Sequence, residues 1–526
     1  MKRRHVLDLL SAASCARSLV QFVTPRGQVE TSFAGLWALS SRAASALLRS
    51  APPGRVGGLL TPSADVVACL VATLRAGRDF VSLPLPGRGQ DGIAYLQQLR
   101  TITDLAEIGA IVVEAAYSHL FGSTGHLKCP ILVAERISEG ATAPLTADPE
   151  PGQLIQFSSG TTGVPKGVRL SGEAIAASAE AILAALRIGG APETFCGWVP
   201  LSHDMGLIGG LLATWVGSGR APYTYICISP ELFLARPMLW LETCSARGAT
   251  ITAAPTFAYQ IMARHLPRST ALDLSNVRAA IVGAEPIGVR TLQAFASAAA
   301  RHGFAEKALC PAYGLAEATV AVSMVPPEDP WKARSVSVDG RSDDYVSCGP
   351  ALDCVVLAAP AIGAGAGPIR IRGPAVCSGY LPVRDAPADD WLDTGDLGVI
   401  EDGELFVTGR SDDLLCIAGR NIFAWELERV ASTVSHIRPG DCAVVLDGDG
   451  RYAVLFESRN DGEVDFDETL VELRRRLAAA AGIGPSAVGC LPRGTLGKTA
   501  SGKIQRNLIA ANLGRMLDSC IARKKF

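Results

Sequence analysis

The chain has 526 residues, 48% of them hydrophobic and 19% charged, which excludes a disordered polymer and implies more than one domain. A formal net charge of -2 gives no electrostatic ground for a nucleic-acid or stable membrane partner. The fourteen cysteines are scattered singly without zinc-type spacing, so they read as free thiols of a reducing cytoplasm.

In chain order, the basic start Lys2-Arg3-Arg4 imitates a signal peptide, but His5 and Asp8 interrupt the next stretch, and it reads as an amphipathic helix. No stretch is long and apolar enough to span a bilayer. Val56–Leu60 predicts a strand, Ser63 caps a helix running through Leu74, and Phe80–Pro84 predicts the next strand. The same alternation recurs at Ala110–Glu114, at Ala249–Pro255 with Phe257–His265, and at Ala279–Val282 with Val289–Ala300. Such alternation implies mainly parallel sheets with helices on both faces and ligands beyond the strands' carboxyl ends. From Val346 to Tyr380 short β-like pieces suggest a small β region. After a break near Gly409–Asp413, strands at Cys442–Leu446 and Tyr452–Phe456 and a helix around Asp467–Ala481 suggest a separate small α+β domain.

The strand-like run Leu154–Phe157 empties into Ser158-Ser159-Gly160-Thr161-Thr162-Gly163-Val164-Pro165-Lys166-Gly167, and a helix-like segment starts near Ser171. Small hydroxylated residues and glycines there can turn N–H groups and hydroxyls toward an anion, with Lys166 adding a point charge. The spacing is not that of a Walker A loop, because Pro165 precedes the lysine. Downstream, Ala312–Thr319 joins Tyr313, Gly314 and Glu317: an aromatic face for a base and a carboxylate for Mg2+. In Trp391–Gly398, Asp396 on a tight turn suits two ribose hydroxyls. Gly497–Arg506 sets Lys503 on a small-residue loop that could reach a reacting phosphate if the small domain swings. Taken singly, each of these is ordinary core, turn or solvated-loop chemistry.

Together and in this order, the motifs resemble the adenylate-forming superfamily of acyl-CoA synthetases, adenylation domains and luciferases. The resemblance spans nearly the whole chain from about Phe22. It implies an α/β fold: a large N-terminal domain (1–409) of two mainly parallel αβ subdomains plus a small β subdomain, and a small mobile α+β C-terminal domain (410–526). It also implies that ATP and a carboxylic acid give an acyl-adenylate and pyrophosphate, after which the acyl group passes to a thiol. By the resemblance, Ser158, Ser159, Gly160, Thr161, Thr162, Gly163 and Lys166 cradle phosphates, and Tyr313 and Gly314 meet adenine beside Gly283, Ala284 and Glu285. Glu317 binds Mg2+, Asp396 with Arg410 holds the ribose, Lys503 bridges carboxylate and α-phosphate, and Asp412 is the hinge.

Within the superfamily the sequence is similar to the fatty acyl-AMP ligases, on Gly197–Gly209, Pro255–Tyr259, Gly283–Pro286, Tyr313–Thr319 and Gly419–Asn421. Those enzymes deliver the acyl group to the phosphopantetheine arm of an acyl carrier protein. His203 is expected beside the substrate carboxylate, and Trp198, Asp204, Met205, Phe257 and Tyr259 around the acyl pocket. The chain departs from the pattern at Ala316, where a threonine is usual, in a short Pro326–Tyr345 segment, at Gly367–Ile371, and at Asn421–Trp425. Alternative readings are an acyl-CoA ligase, an aryl or amino-acid adenylating enzyme, and a non-catalytic scaffold; retention of Lys503, Glu317 and Asp396 argues against the last.

Overall fold

The computed structural model describes residues 4–14, 17–86, 92–121, 127–139, 149–158, 165–338, 341–361, 365–382, 390–417, 420–447, 451–458, 466–498 and 504–526. Among these, the amphipathic start forms helix Val6–Ala13, capped by the His5 ring, which accepts from the Leu7 N–H. Most predicted strands and helices appear with ends shifted by a residue or two, and helix Val289–Ala300 has the expected bounds, whereas the strand expected at Cys442–Leu446 starts five residues earlier, at Ile437.

Two large sheets carry the N-terminal part. The first has eight strands in the order Ser323–Met324, Leu309–Tyr313, Ala279–Gly283, Ile251–Pro255, Glu193–Gly197, Tyr223–Ile228, Leu19–Thr24, Gly27–Ser32. It is parallel except at its two edge strands. The second has seven, ordered Tyr380–Leu381, Lys166–Leu170, Leu154–Ser158, Phe80–Leu83, Arg55–Leu59, Ile108–Val113, Ile131–Val133. Strands Phe80–Leu83 and Ile251–Pro255 are buried at every position, as parallel strands covered on both faces must be.

Helices Phe33–Ser50, Ala64–Arg75 and Gly172–Ala185 join one face of each sheet into a single core. Ser32 and Ser171 start two of them by accepting from the Gly35 and Ala174 N–H groups. The other face of the first sheet is covered by Leu239–Arg247, Thr256–His265 and Val289–Ala300, and that of the second by Gly92–Leu105.

The small β region expected at 346–380 extends further. Val356–Ala358, Gly367–Arg372, Leu392–Glu401 and Glu404–Arg410 form one antiparallel sheet. The short segment after the tyrosine–glutamate motif contains a hairpin, Ala333–Val338 with Arg341–Val346. Beyond the turn Ser411–Asp413, a four-stranded sheet (Ile437–Leu446, Tyr452–Ser458, Ala487–Leu491, Ala522–Lys525) builds a small α+β domain. Helices Ala424–Ala431 and Phe466–Ala481 cover one face, and Arg506–Ala511 with Leu513–Asp518 the other.

Candidate active site

The phosphate-type loop leaves the carboxyl end of Leu154–Ser158, as expected, but does not run straight into a helix. Strand Lys166–Leu170 intervenes, antiparallel to the first, with Ser158 opposite Lys166. Helix Gly172–Ala185 starts only afterwards, so its N-terminus does not end the loop. Ser159, Gly160, Thr161, Thr162 and Gly163 lie outside the described residues, as does Lys503.

Tyr313 ends the strand Leu309–Tyr313, and the residue after it must be glycine. A Cβ on Gly314 would sit 1.7 Å from the Val320 carbonyl oxygen. The Tyr313 hydroxyl donates to Asp396 Oδ2 at 2.6 Å. Burial, reinforced by that carboxylate, holds the phenol well above its usual pKa. Asp396 stands directly opposite Arg410 across two antiparallel strands, with Arg410 Nε 3.3 Å from Asp396 Oδ1. The turn that aims it is fixed by Gly395 at φ +73° and by Thr394, whose hydroxyl accepts from the Asp396 N–H and donates to the Ile369 carbonyl. Tyr313, Asp396 and Arg410, far apart in sequence, thus form one contiguous polar group.

Glu317 sits in the turn Ala316–Ala318. Burial raises its pKa; Arg410 opposes this, while Asp204 and Asp396 add to it. The motif ends in strain: Thr319, buried and β-branched, has φ +68° and ψ -53°. There the Val320 N–H donates to the Ala318 carbonyl at 2.8 Å, closing a γ-turn of the rare positive-φ kind. Segment 373–379 braces it. The Thr319 hydroxyl donates to Ala375 O at 2.6 Å and the Cys377 N–H to Glu317 O at 2.8 Å.

His203 Nδ1 lies 2.6 Å from Asp204 Oδ1. The Met205 N–H donates to Asp204 Oδ1 at 2.6 Å, opening a π-helix over Met205–Leu212 that the sequence reading missed. Gly206 lets this helix approach closely, since a Cβ there would lie 2.3 Å from Pro200 O. π-helical turns are rare and gather at functional sites. Here Met205 and Gly206 close a small cavity against Phe195, Gly197, Val199, Tyr225 and Ala253 of the first sheet and its strand end.

Of the expected pocket residues, Met205 alone lines that cavity. Trp198 stacks on Phe233 at 3.6 Å, nearly coplanar, on the opposite face of the sheet from that cavity. Tyr259 is likewise core, edge-on to Trp240 and Phe295, its hydroxyl donating to Ile281 O at 3.0 Å. Phe257 packs at the margin of this aromatic cluster, and its N–H donates to Glu285 Oε2 at 3.1 Å. The period-two alternation of strand Glu193–Gly197 explains the split: Phe195 and Gly197 face the π-helix, while Cys196 and Trp198 face away. Gly283 ends the strand Ala279–Gly283, where a Cβ would lie 2.9 Å from Ala312 O, and Ala284 follows it at φ +63°.

Asp412 lies in the turn Ser411–Asp413 that joins the small β sheet to the C-terminal residues. An ion cluster that sequence reading missed surrounds it. Arg506 reaches Asp413 Oδ2 at 3.0 Å and both oxygens of Glu428, at 2.9 and 2.6 Å. Burial opposes the guanidinium's charge, but Glu428 and Asp413 outweigh it and hold the group protonated. On either side of the Lys503 loop, Lys498 and Ile504 pair as a β-bridge, and Lys498 Nζ binds Asp441 Oδ1 at 2.5 Å. The hairpin after the tyrosine–glutamate motif touches the C-terminal helix, Tyr345 edge-on to Trp425 and Asp343 paired with Arg429.

Among the described residues no group of three or more His, Cys, Asp or Glu side chains could hold a metal ion alone. Glu317 nonetheless fits Mg2+. Its half-buried carboxylate, with Asp204 and Asp396 in its field, suits a hard cation that shares one protein carboxylate with phosphate oxygens.

Residues 12–381 match the family described as AMP-binding enzyme. A Caulobacter vibrioides protein named for acyl-CoA synthetase activity is 32% identical over 82% of each chain. Long-chain-fatty-acid–AMP ligase FadD32 of Mycolicibacterium smegmatis is 28% identical, covering 90% of this chain and 87% of its own. A solved fatty acyl-adenylate ligase, from work on the E. coli and L. pneumophila enzymes, superposes with a TM-score of 0.86 at 27% identity, covering 97% and 98% of the two chains. The motif order, the paired tyrosine, aspartate and arginine, and these matches lead to one conclusion: the chain belongs to the AMP-binding family of adenylate-forming ligases, and its resemblance to the fatty acyl-AMP ligases holds in both sequence and fold.

Proposed function

We propose that the protein activates a carboxylic acid with ATP and hands the acyl group to the phosphopantetheine thiol of an acyl carrier protein. The observation that carries this reading is the Tyr313–Asp396–Arg410 group, set beside Glu317 and Asp204. In the first step a carboxylate oxygen attacks the α-phosphorus and the bond to the bridging oxygen breaks, releasing pyrophosphate. In the second the carrier's thiolate attacks the acyl carbon and AMP leaves.

Each residue has a part in this scheme. The phenol–carboxylate bond fixes the Tyr313 ring so that its face can meet adenine, between Gly314 and the Gly283-Ala284-Glu285 backbone. Asp396 and Arg410 accept from and donate to ribose oxygens. Ser158, Ser159, Gly160, Thr161, Thr162, Gly163 and Lys166 surround the phosphates. His203, oriented by Asp204, stands by the acid's carboxylate, and Lys503 stabilises charge moving onto the α-phosphate oxygens. Glu317 holds Mg2+, which when bound neutralises phosphate charge. The turn at Asp412 is the hinge between residues 1–409 and 410–526 that alternates the two steps. Acyl carrier protein as acceptor is supported by the likeness to fatty acyl-AMP ligases. Cytoplasmic residence is the reading the cysteines favour, since none of the described ones is joined in a disulfide.

The test is mass-spectrometric detection of acyl-adenylate with ATP, Mg2+ and a panel of aliphatic, aryl and amino acids, followed by carrier protein against CoA. Adenylate from an aliphatic acid and transfer to carrier protein are expected. Acyl-CoA as the main product would replace the acceptor, and no adenylate from any acid would overturn the activity.

A further inference from the structure

Strand register sorts the π-helix-facing side of the first sheet into two rows. At the carboxyl end, Gly197 pairs with Cys227 on one side and Ala253 on the other, and Ala253 pairs with Ile281. Two residues deeper, about 6.6 Å along the strand, Phe195 pairs with Tyr225 and Ile251. The outer row is thus small at Gly197 and Ala253 before it reaches Ile281, and the inner row is large at Tyr225, Phe195 and Ile251 before it reaches Ala279. The rings of Phe195 and Tyr225 lie 5.5 Å apart and lean up into space that glycines leave open. A Cβ on Gly197 would come within 2.9 Å of the Phe195 ring, and one on Gly210 within 3.1 Å of the Tyr225 oxygen.

The cavity between this sheet face and Met205–Gly206 has a free volume of ≈ 10 Å³, room for about one water. Its helical wall directly follows His203 and Asp204, the pair beside the nucleotide group. Both rings are buried in the main core, so a long tail entering here would have to displace one of them.

The geometry points to a short acid: Phe195 and Tyr225 form the floor of the acyl site, and the enzyme activates short-chain carboxylic acids while rejecting long fatty acids. This deepens the proposed adenylating function and rests on it. Each methylene that meets the floor costs roughly 10–200-fold in kcat/KM.

The experiment measures adenylate formation by the full chain across straight-chain acids from butanoate to hexadecanoate, for wild type, Phe195→Ala and Tyr225→Leu. Wild type is expected to fall off before octanoate. Either variant should raise kcat/KM for decanoate or dodecanoate by at least about tenfold, without the same gain for butanoate. Met205→Ala, on the helix side, gives a third opening should the sheet variants fail to fold. Equal use of butanoate and hexadecanoate by wild type would overturn the inference and leave adenylation standing. A short-chain preference that none of the folded variants relaxes would overturn the floor assignment. No adenylate from any acid would overturn the adenylating function and the inference with it.

Discussion

Tyr259, buried on the helix Thr256–His265, and Tyr313, half-buried at the end of a strand of the first sheet, share a raised phenol pKa and differ in everything that matters for function. Tyr259 lies in an aromatic cluster, and its hydroxyl is satisfied by the Ile281 carbonyl, a partner that cannot change. Tyr313 donates to a carboxylate that an arginine also grips, at the end of a strand rather than in its packed middle. A raised pKa therefore does not separate a core tyrosine from one that can serve a site; the partner does. A bond to a carbonyl closes a core, whereas a bond to Asp396 orients a group that can also meet a ligand.

The comparison can be broken or sharpened by substitution. The largest effect is expected from Gly314→Ala, because the new methyl group would overlap the Val320 carbonyl and neither backbone can yield. It should destabilise the protein by about 4 kcal/mol or more and abolish ATP-dependent activity, read by thermal melting and pyrophosphate release. A variant that melts like wild type would mean the Tyr313 edge is looser than described.

Next, Tyr259→Ala should cost about 3–5 kcal/mol in denaturant unfolding, with the ATP Kd of the remaining folded protein unchanged. A change in ATP affinity at preserved stability would place Tyr259 in the site after all. Asp396→Asn should do the reverse: adenylate formation should fall by at least about 100-fold while the melting temperature barely moves.

Glu317→Gln separates cost from use. Burial raises the folded pKa of Glu317, so the ionised form is less favourable folded than unfolded. Stability from this residue is greatest at low pH and falls as pH rises from the ordinary carboxylate range through the raised folded value. The ligand-free Gln variant should therefore melt higher than wild type at pH 7, lose that advantage in acid, and show no Mg2+-dependent adenylation. A lower melting point at pH 7 would show that the carboxylate is stabilising. The smallest effect is expected from Tyr313→Phe, about 1 kcal/mol of stability, with a modest rise in the KM for ATP.

Much of this was legible in the sequence because the information was local. The helix start near Ser171, the strand–helix alternation and the runs around Tyr313, Asp396 and Lys166 each lie within a dozen residues. What escaped was decided at a distance. Lys166–Leu170 is a five-residue strand with a glycine inside, too short for its alternation to outweigh the loop before it and the helix after it. The π-helix depends on Gly206 nesting against the Val199 and Pro200 carbonyls, a contact no periodicity displays. That Trp198 and Tyr259 join the aromatic cluster around Trp240 and Phe233 was likewise invisible, because composition cannot say which side of a sheet a ring will pack on. Arg506 meets partners 78 and 93 residues away, so its role was invisible until the C-terminal sheet brought them together.

That arginine carries one more consequence. A single guanidinium grips the turn where the chain leaves the large domain and, through Glu428, the helix Ala424–Ala431, while itself opening the helix that comes after the Lys503 loop. The turn 411–413, the helix Ala424–Ala431 and residue 506 are thus tied directly to one another by three charged side chains, independently of the strands between them.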